Sequence, residues 1–176
     1  MSILLVGLGD DLLPSLIRRL TEQGDEVRVL EAGEEGGGRW SAMGAHVASG
    51  PRWDADLVER AAQNVRTIVV GDSHDRDPVE LMDAVIEGGG FASREMRLVV
   101  LGEPQPRALD ALRASKLAFV VLKPKRRGLL GRGSALPPEA LAEAVDAADD
   151  IAGDPRLELD LGEPDAWREL RLTPPP

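Results

Sequence analysis

The sequence predicts a doubly wound α/β fold with a mostly parallel sheet and helices on both faces. Three observations lead there: short apolar runs that end at glycine, amphipathic stretches of helical period between them, and regular alternation of the two along 176 residues. Successive strand-helix-strand steps need right-handed crossovers, which bury a parallel sheet between two helical layers.

Ser2 to Val6 (SILLV) is an apolar run closed by Gly7, the pattern of a strand buried on both faces. From Leu12 to Gln23, the residues Leu12, Leu13, Leu16, Ile17 and Leu20 recur at helical spacing, Pro14 fits a first turn, and Gly24 ends the helix. Glu26 to Glu31 (EVRVLE) alternates as a second strand, completing a βαβ unit. After the glycine-rich loop 33–38, Arg39 to Met43 reads as a turn or short helix and Ala45 to Ala48 as a brief third strand.

Asp54 to Asn64 predicts a helix with Asp54 as its N-cap, and Arg66 to Val70 (RTIVV) a fourth strand ending at Gly71. Pro78 to Glu87 predicts a helix started by Asp77 and stopped by Gly88 to Gly90; Met96 to Leu101 is the fifth strand. Pro106 to Ser115 and Pro137 to Asp149 read as helices, the latter with Ser134 nearby as a cap. Ala118 to Leu122 is the sixth strand and Leu157 to Leu161 a last one. One domain, 1–172, is expected, followed by a frayed proline-rich tail, 173–176.

Composition narrows the functional classes. The chain has no cysteine, which excludes disulfides, thiolate metal sites and cysteine nucleophiles. A formal net charge of −10 opposes binding to nucleic acid or to an anionic membrane. No apolar run is long enough to cross a bilayer, and the apolar start at Ile3 lacks a basic leader, so a cytoplasmic location is expected.

In doubly wound sheets, ligands sit beyond the carboxyl ends of the strands, where the strand order reverses beside the first strand. Gly7 and Gly9 stand there, where glycine permits a tight turn and close approach to a pyrophosphate held by the next helix N-terminus. Gly71, at the end of the fourth strand, belongs to the same edge. Glu31, 24 residues after Gly7, occupies the usual place of the acid that accepts hydrogen bonds from an adenosine ribose, which favours NAD over NADP. In the pattern Gly-x-Gly-x-x-Gly, Leu12 takes the third glycine's place, with Asp10 and Asp11 beside it. Those carboxylates either serve as dipole partners of the helix N-terminus or stand against a bound pyrophosphate and repel it. The expected cofactor-binding set is therefore Gly7, Gly9, Asp10, Asp11, Leu12, Glu31 and Gly71.

The order and spacing of these segments resemble the atypical short-chain dehydrogenase/reductases, above all the NmrA-like NAD(P)H-binding proteins, over about residues 2–163. The segments concerned are SILLVGLGDDLLPSLIRRLTEQGDEVRVLE, MGAHVASGPRWDADLVERAAQNVRTIVVGD, and LRASKLAFVVLKP followed by LPPEALAEAVDAADD. The resemblance implies a Rossmann-like fold with a phosphate-binding βαβ unit, and a late strand, loop and helix closing the substrate side. This chain departs from the family pattern. Asp10 and Leu13 replace the second and third glycines of Gly-x-x-Gly-x-x-Gly, and Gly50-Pro51 replaces the Gly-Asp pair that helps to hold adenine. The Tyr-x-x-x-Lys pair of the active reductases is missing, because the chain contains no tyrosine and Lys116 has no phenolic partner. That absence moves the expectation to a degenerate, pseudoenzyme-like member, binding NAD(P) in a regulatory or scaffolding role with no catalytic residue assigned. The alternatives are an atypical oxidoreductase and a nucleotide-free assembly subunit. Partners implied are a dinucleotide, and a protein partner or a second copy of the chain.

The remaining candidates carry plainer readings. Lys123, Lys125, Arg126, Arg127 and Arg132 form the one basic cluster, either a solvated loop or a docking point for a phosphate, carboxylate or acidic protein. His46 and His74 lack metal-ligand spacing. Asp72, Ser73 and His74 read as a polar turn and not as a triad, since neighbours in one loop seldom face one another. Trp40, Trp53 and Trp167 are expected in the core.

Overall fold

In the computed structural model, which describes residues 2–33, 37–71, 78–93, 95–124 and 136–161, strands and helices alternate along the chain. They are β1 (Ser2–Val6), α1 (Leu13–Glu22), β2 (Glu26–Glu31), α2 (Gly37–Ala42), β3 (His46–Ser49), α3 (Ala55–Ala61) and β4 (Thr67–Gly71), then α4 (Pro78–Ala92), β5 (Arg97–Leu101), α5 (Pro106–Ala114), β6 (Ala118–Lys123), α6 (Pro138–Asp149) and β7 (Arg156–Asp160). The strands form one sheet in the order β3-β2-β1-β4-β5-β6-β7, and every neighbouring pair is parallel. This is the Rossmann-like, doubly wound arrangement, with the order reversing between β1 and β4.

Side-chain alternation divides the core in two. Ile3 and Leu5 of β1 face the layer containing α1 and α6, where Leu16, Ile17, Leu141 and Val145 pack. Leu4 and Val6 face α3, α4 and α5, where Val58, Leu81, Val85 and Leu112 pack. With both faces covered, β1 is buried throughout, which is why its sequence is a continuous apolar run. Burying each such leucine contributes about 2 kcal/mol relative to leaving it in water.

Several local signals act as expected. Gly24 takes φ +86°, and the Asp25 amide donates to the Leu20 carbonyl at 3.0 Å, a left-handed stop for α1. Asp54 caps α3 by accepting from the amides of Asp56 (3.0 Å) and Leu57 (3.2 Å). The expected caps Asp77 and Ser134, and the tail 173–176, lie outside the described residues.

One element differs from expectation. α4 does not stop at Gly88 but runs on to Ala92. The glycines serve packing: a Cβ on Gly88 would overlap the Ala55 carbonyl oxygen and come within 2.9 Å of the Glu59 amide nitrogen, and one on Gly89 would stand 3.0 Å from Met96 Cε. Close approach of α3 and α4 outweighs the roughly 1 kcal/mol that each helical glycine costs.

The amino-terminal edge of the sheet is locked by charge. Asp146 of α6 accepts from Arg19 Nε (3.0 Å), Arg19 Nη2 (2.7 Å) and Gln23 Nε2 (3.1 Å), tying α6 to α1. Asp149 accepts from the Thr67 hydroxyl and from Arg66. Arg97 donates to the carbonyls of Ala148 and Asp149 at the end of α6 and to that of Gly153. Burial lowers the Arg97 pKa from its ordinary value, and the neighbouring Asp149 opposes that shift. This network holds the amino end of the sheet, opposite the carboxyl ends of the strands.

Candidate functional site

At the carboxyl edge, β1 and β4 end side by side, with Val6 in register with Val70, so Gly7 and Gly71 face each other across the point of strand-order reversal. Gly7 adopts φ +63°, which turns the chain sharply out of β1 and favours glycine. Gly71 must also lack a side chain: a Cβ there would stand 2.5 Å from the Gly7 carbonyl oxygen and 2.8 Å from Leu8 Cδ2. Glycine at 71 therefore lets the loop after β1 lie directly on β4.

The loop then builds the start of α1. The amides of Leu12 and Leu13 both donate to the Gly9 carbonyl, at 3.0 and 3.1 Å, closing one turn ahead of the helix. Leu8 and Leu12 are buried in the core on the α1 side, anchoring the turn from below, whereas Gly9, Asp10 and Asp11 are exposed above it. Leu12 is thus the one expected site residue whose side chain belongs to the core. Neither aspartate caps α1 through a hydrogen bond, since the N-cap position is Leu12 and makes none. Asp11 Oδ1 instead lies over Gly9, 2.6 Å from where a Cβ would stand, and Asp10 Oδ2 is 3.9 Å from Arg39 Nη1.

Glu31 ends β2 on the same edge and is largely buried. Its Oε1 accepts from the Ala32 amide (3.0 Å) and Arg52 Nη2 (3.1 Å), and its Oε2 accepts from Trp40 Nε1 (3.2 Å). Trp40 is buried in the core as expected, with the Arg39 guanidinium stacked 4.5 Å from its ring centroid. Arg52 reaches Glu31 from the connection between β3 and α3, which is itself tied to β2 by the Gly50 amide donating to the Glu31 carbonyl at 2.9 Å. Nothing in the sequence spacing marks Arg52 as a partner of Glu31, and sequence reasoning missed it.

The other candidates fall elsewhere. Lys116 lies between α5 and β6, at the amino edge of the sheet, on the far side from Gly7. Lys123 is held by Glu158 of β7, with Nζ 2.7 Å from Oε2, so it braces the sheet edge. Trp53 departs from expectation: it is 49% exposed and outside the core, because it precedes the α3 cap on the surface connection. His46 is exposed at the start of β3. Among the described residues no cluster of three or more acidic or histidine side chains could hold a metal ion, and no helix is long and apolar enough to cross a membrane. Asp72, Ser73, His74, Lys125, Arg126, Arg127, Arg132 and Trp167 lie outside the described residues.

Where β4 and β5 end against α4 and α5, Val70, Gly71, Leu81, Met82, Leu101 and Gly102 line an apolar cavity of about 20 Å³. That is room for about one water molecule.

No protein-family model and no curated protein matches the chain in sequence. Solved structures do match in fold. The anaerobilin reductase ChuY of Escherichia coli O157:H7 has a TM-score of 0.74 at 12% identity, over 91% of this chain and 96% of that one. A short-chain dehydrogenase/reductase (wide type) of Veillonella parvula, solved with NADP, has a TM-score of 0.70 at 14% identity, over 94% of this chain and 96% of that one. A Rossmann-fold NAD(P)-binding family protein of Shigella flexneri has a TM-score of 0.66 at 16% identity, over 87% and 88% respectively. At such identities the likeness is one of fold, and the fold of this chain is the Rossmann fold.

Proposed function

We propose that the chain is an NmrA-like dinucleotide-binding protein, acting as one domain over residues 1–172, that holds NAD(P) in a regulatory or scaffolding role. The observation that carries this reading is the Gly7–Gly71 contact at the reversal point, which turns the chain sharply from β1 toward the N-terminus of α1. In that arrangement Gly7 and Gly9 admit the pyrophosphate, and Glu31 stands at the adenosine ribose. A bound NAD(P) would supply hydride chemistry, but the chain's own residues offer no tyrosine to donate the accompanying proton. Their work is to bind and orient the dinucleotide.

Calorimetric titration with NADH and NADPH tests this. Wild type binds at least one of them below millimolar concentration, and Gly9→Val, which fills the space above the turn, weakens binding at least about tenfold. Gly9 is suited to the test because the nearest atoms are the mobile carboxylate of Asp11 and no backbone. Absence of binding by wild type would remove the reading and leave a nucleotide-free assembly subunit.

A further inference from the structure

We propose that Asp11 is an autoinhibitory residue, its carboxylate standing in the seat of the ligand's pyrophosphate so that a dinucleotide binds only by displacing it; this rests on the dinucleotide reading proposed above. The turn ahead of α1 bonds only part of its backbone. Leu12 and Leu13 donate their amides to the Gly9 carbonyl, whereas no hydrogen bond among the described residues engages the amides of Gly9, Asp10 or Asp11. Unbonded amides at the start of a helix attract negative charge. Among the described residues beyond its chain neighbours, what meets the open side of Gly9 is the Asp11 carboxylate, with Oδ1 2.6 Å and Cγ 3.8 Å from where a Cβ would stand.

The two neighbouring acids are not equivalent. Asp10 is 80% exposed, with Oδ2 3.9 Å from Arg39 Nη1, an exposed pairing of little strength that lies away from the glycine. Asp11 lies over the glycine, and no hydrogen bond or ion pair among the described residues fixes it there. Its attraction to the helix start is what holds it, so it is free to swing out into solvent. In the free protein Asp11 thus supplies the negative charge that a phosphate supplies in the bound one. Removing it raises affinity for a ligand that carries the pyrophosphate and leaves unchanged the affinity for one that carries none.

The test is calorimetric titration of NADH, NADPH and adenosine into wild type, Asp11→Ala and Asp10→Ala, with thermal melting of each. Asp11→Ala is expected to tighten binding of the dinucleotides by about tenfold and Asp10→Ala by less than about threefold. Adenosine, which has no phosphate, is not expected to bind Asp11→Ala more tightly than wild type. A general loosening of the fold weakens binding and lowers the melting temperature, so it does not mimic the gain. Equal dinucleotide affinities in wild type and Asp11→Ala, an equal gain in Asp10→Ala, or a matching gain for adenosine overturns the inference while leaving dinucleotide binding intact. Failure of both dinucleotides to bind wild type and Asp11→Ala alike overturns the inference and the reading beneath it.

Discussion

Asp11 turns its carboxylate back over Gly9, with Oδ1 2.6 Å from where a Cβ on that glycine would stand. The acid therefore covers the bare backbone that the dinucleotide reading assigns to the pyrophosphate. Asp10 stands beside it, exposed and 3.9 Å from Arg39.

Replacing both acids by amides removes two negative charges from the entrance to α1. Asp10→Asn with Asp11→Asn is expected to tighten NADH or NADPH binding by about tenfold at low salt, and by less at high salt as screening takes over. Equal affinities for the variant and wild type would show that the carboxylates swing clear when ligand binds.

Gly71 is a packing requirement before it is a binding residue. A methyl group at 71 meets the Gly7 carbonyl and Leu8, and backbone cannot yield as a side-chain tip can. Gly71→Ala is expected to cost about 1–3 kcal/mol in chemical denaturation. A loss under about 0.5 kcal/mol would contradict the close contact of β4 with the loop after β1.

The glycine run in α4 separates two roles within one helix. Gly88→Ala collides with the α3 backbone and is expected to destabilise by about 1–3 kcal/mol. Gly90→Ala, with nothing within 4 Å of the new methyl, should stabilise by about 0.5–1 kcal/mol through helix propensity. Thermal melting of the two variants decides, and shifts of the same sign would contradict the α3–α4 packing.

These cases show how far the sequence was legible. The strands could be read because a parallel sheet covered on both faces leaves uninterrupted apolar runs, as in SILLV and RTIVV. The extension of α4 could not, because glycine's local cost is visible in sequence and the neighbouring helix that offsets it is not. The same division runs through the candidate site, where only the positions of its residues in the fold are at issue. Gly7 and Glu31 were legible from their places at strand ends, whereas Arg52 arrives from the connection after β3, and no periodicity links it to β2. The aspartates of α6 that bind Arg19, Arg66 and Thr67 carry no sequence signal of their own, because those partners lie far off in the chain and meet them only at the amino edge of the folded sheet.

Asp149 is the most exacting member of that network. Asp149→Ala removes the acceptor of the buried Thr67 hydroxyl and one partner of Arg66, and is expected to cost about 1–3 kcal/mol. Denaturant unfolding checks this, and a loss below about 1 kcal/mol would mean that water replaces the carboxylate.

Lys123 first, and then Arg113, hold the Glu158 carboxyl below its ordinary pKa. A carboxyl with a depressed folded-state pKa contributes stability above its unfolded pKa and loses it as pH falls through the folded value. Wild type should therefore exceed Glu158→Gln in melting temperature at neutral pH, and the difference should close as pH falls below the ordinary carboxylate range and through the lowered folded-state value. A gap that persists unchanged into acid would assign the effect to packing of β7 and not to charge.

The central claim is that a dinucleotide lies across the turn from β1 into α1. It is tested most directly by amide-resolved NMR of the isotope-labelled protein during titration with NADH and NADPH. The account predicts saturable shifts at Gly7 to Leu13, at Glu31 and at Gly71, with little change at α6 near Asp146 and Asp149. Shifts confined to the amino edge of the sheet, or none at millimolar nucleotide, would contradict it.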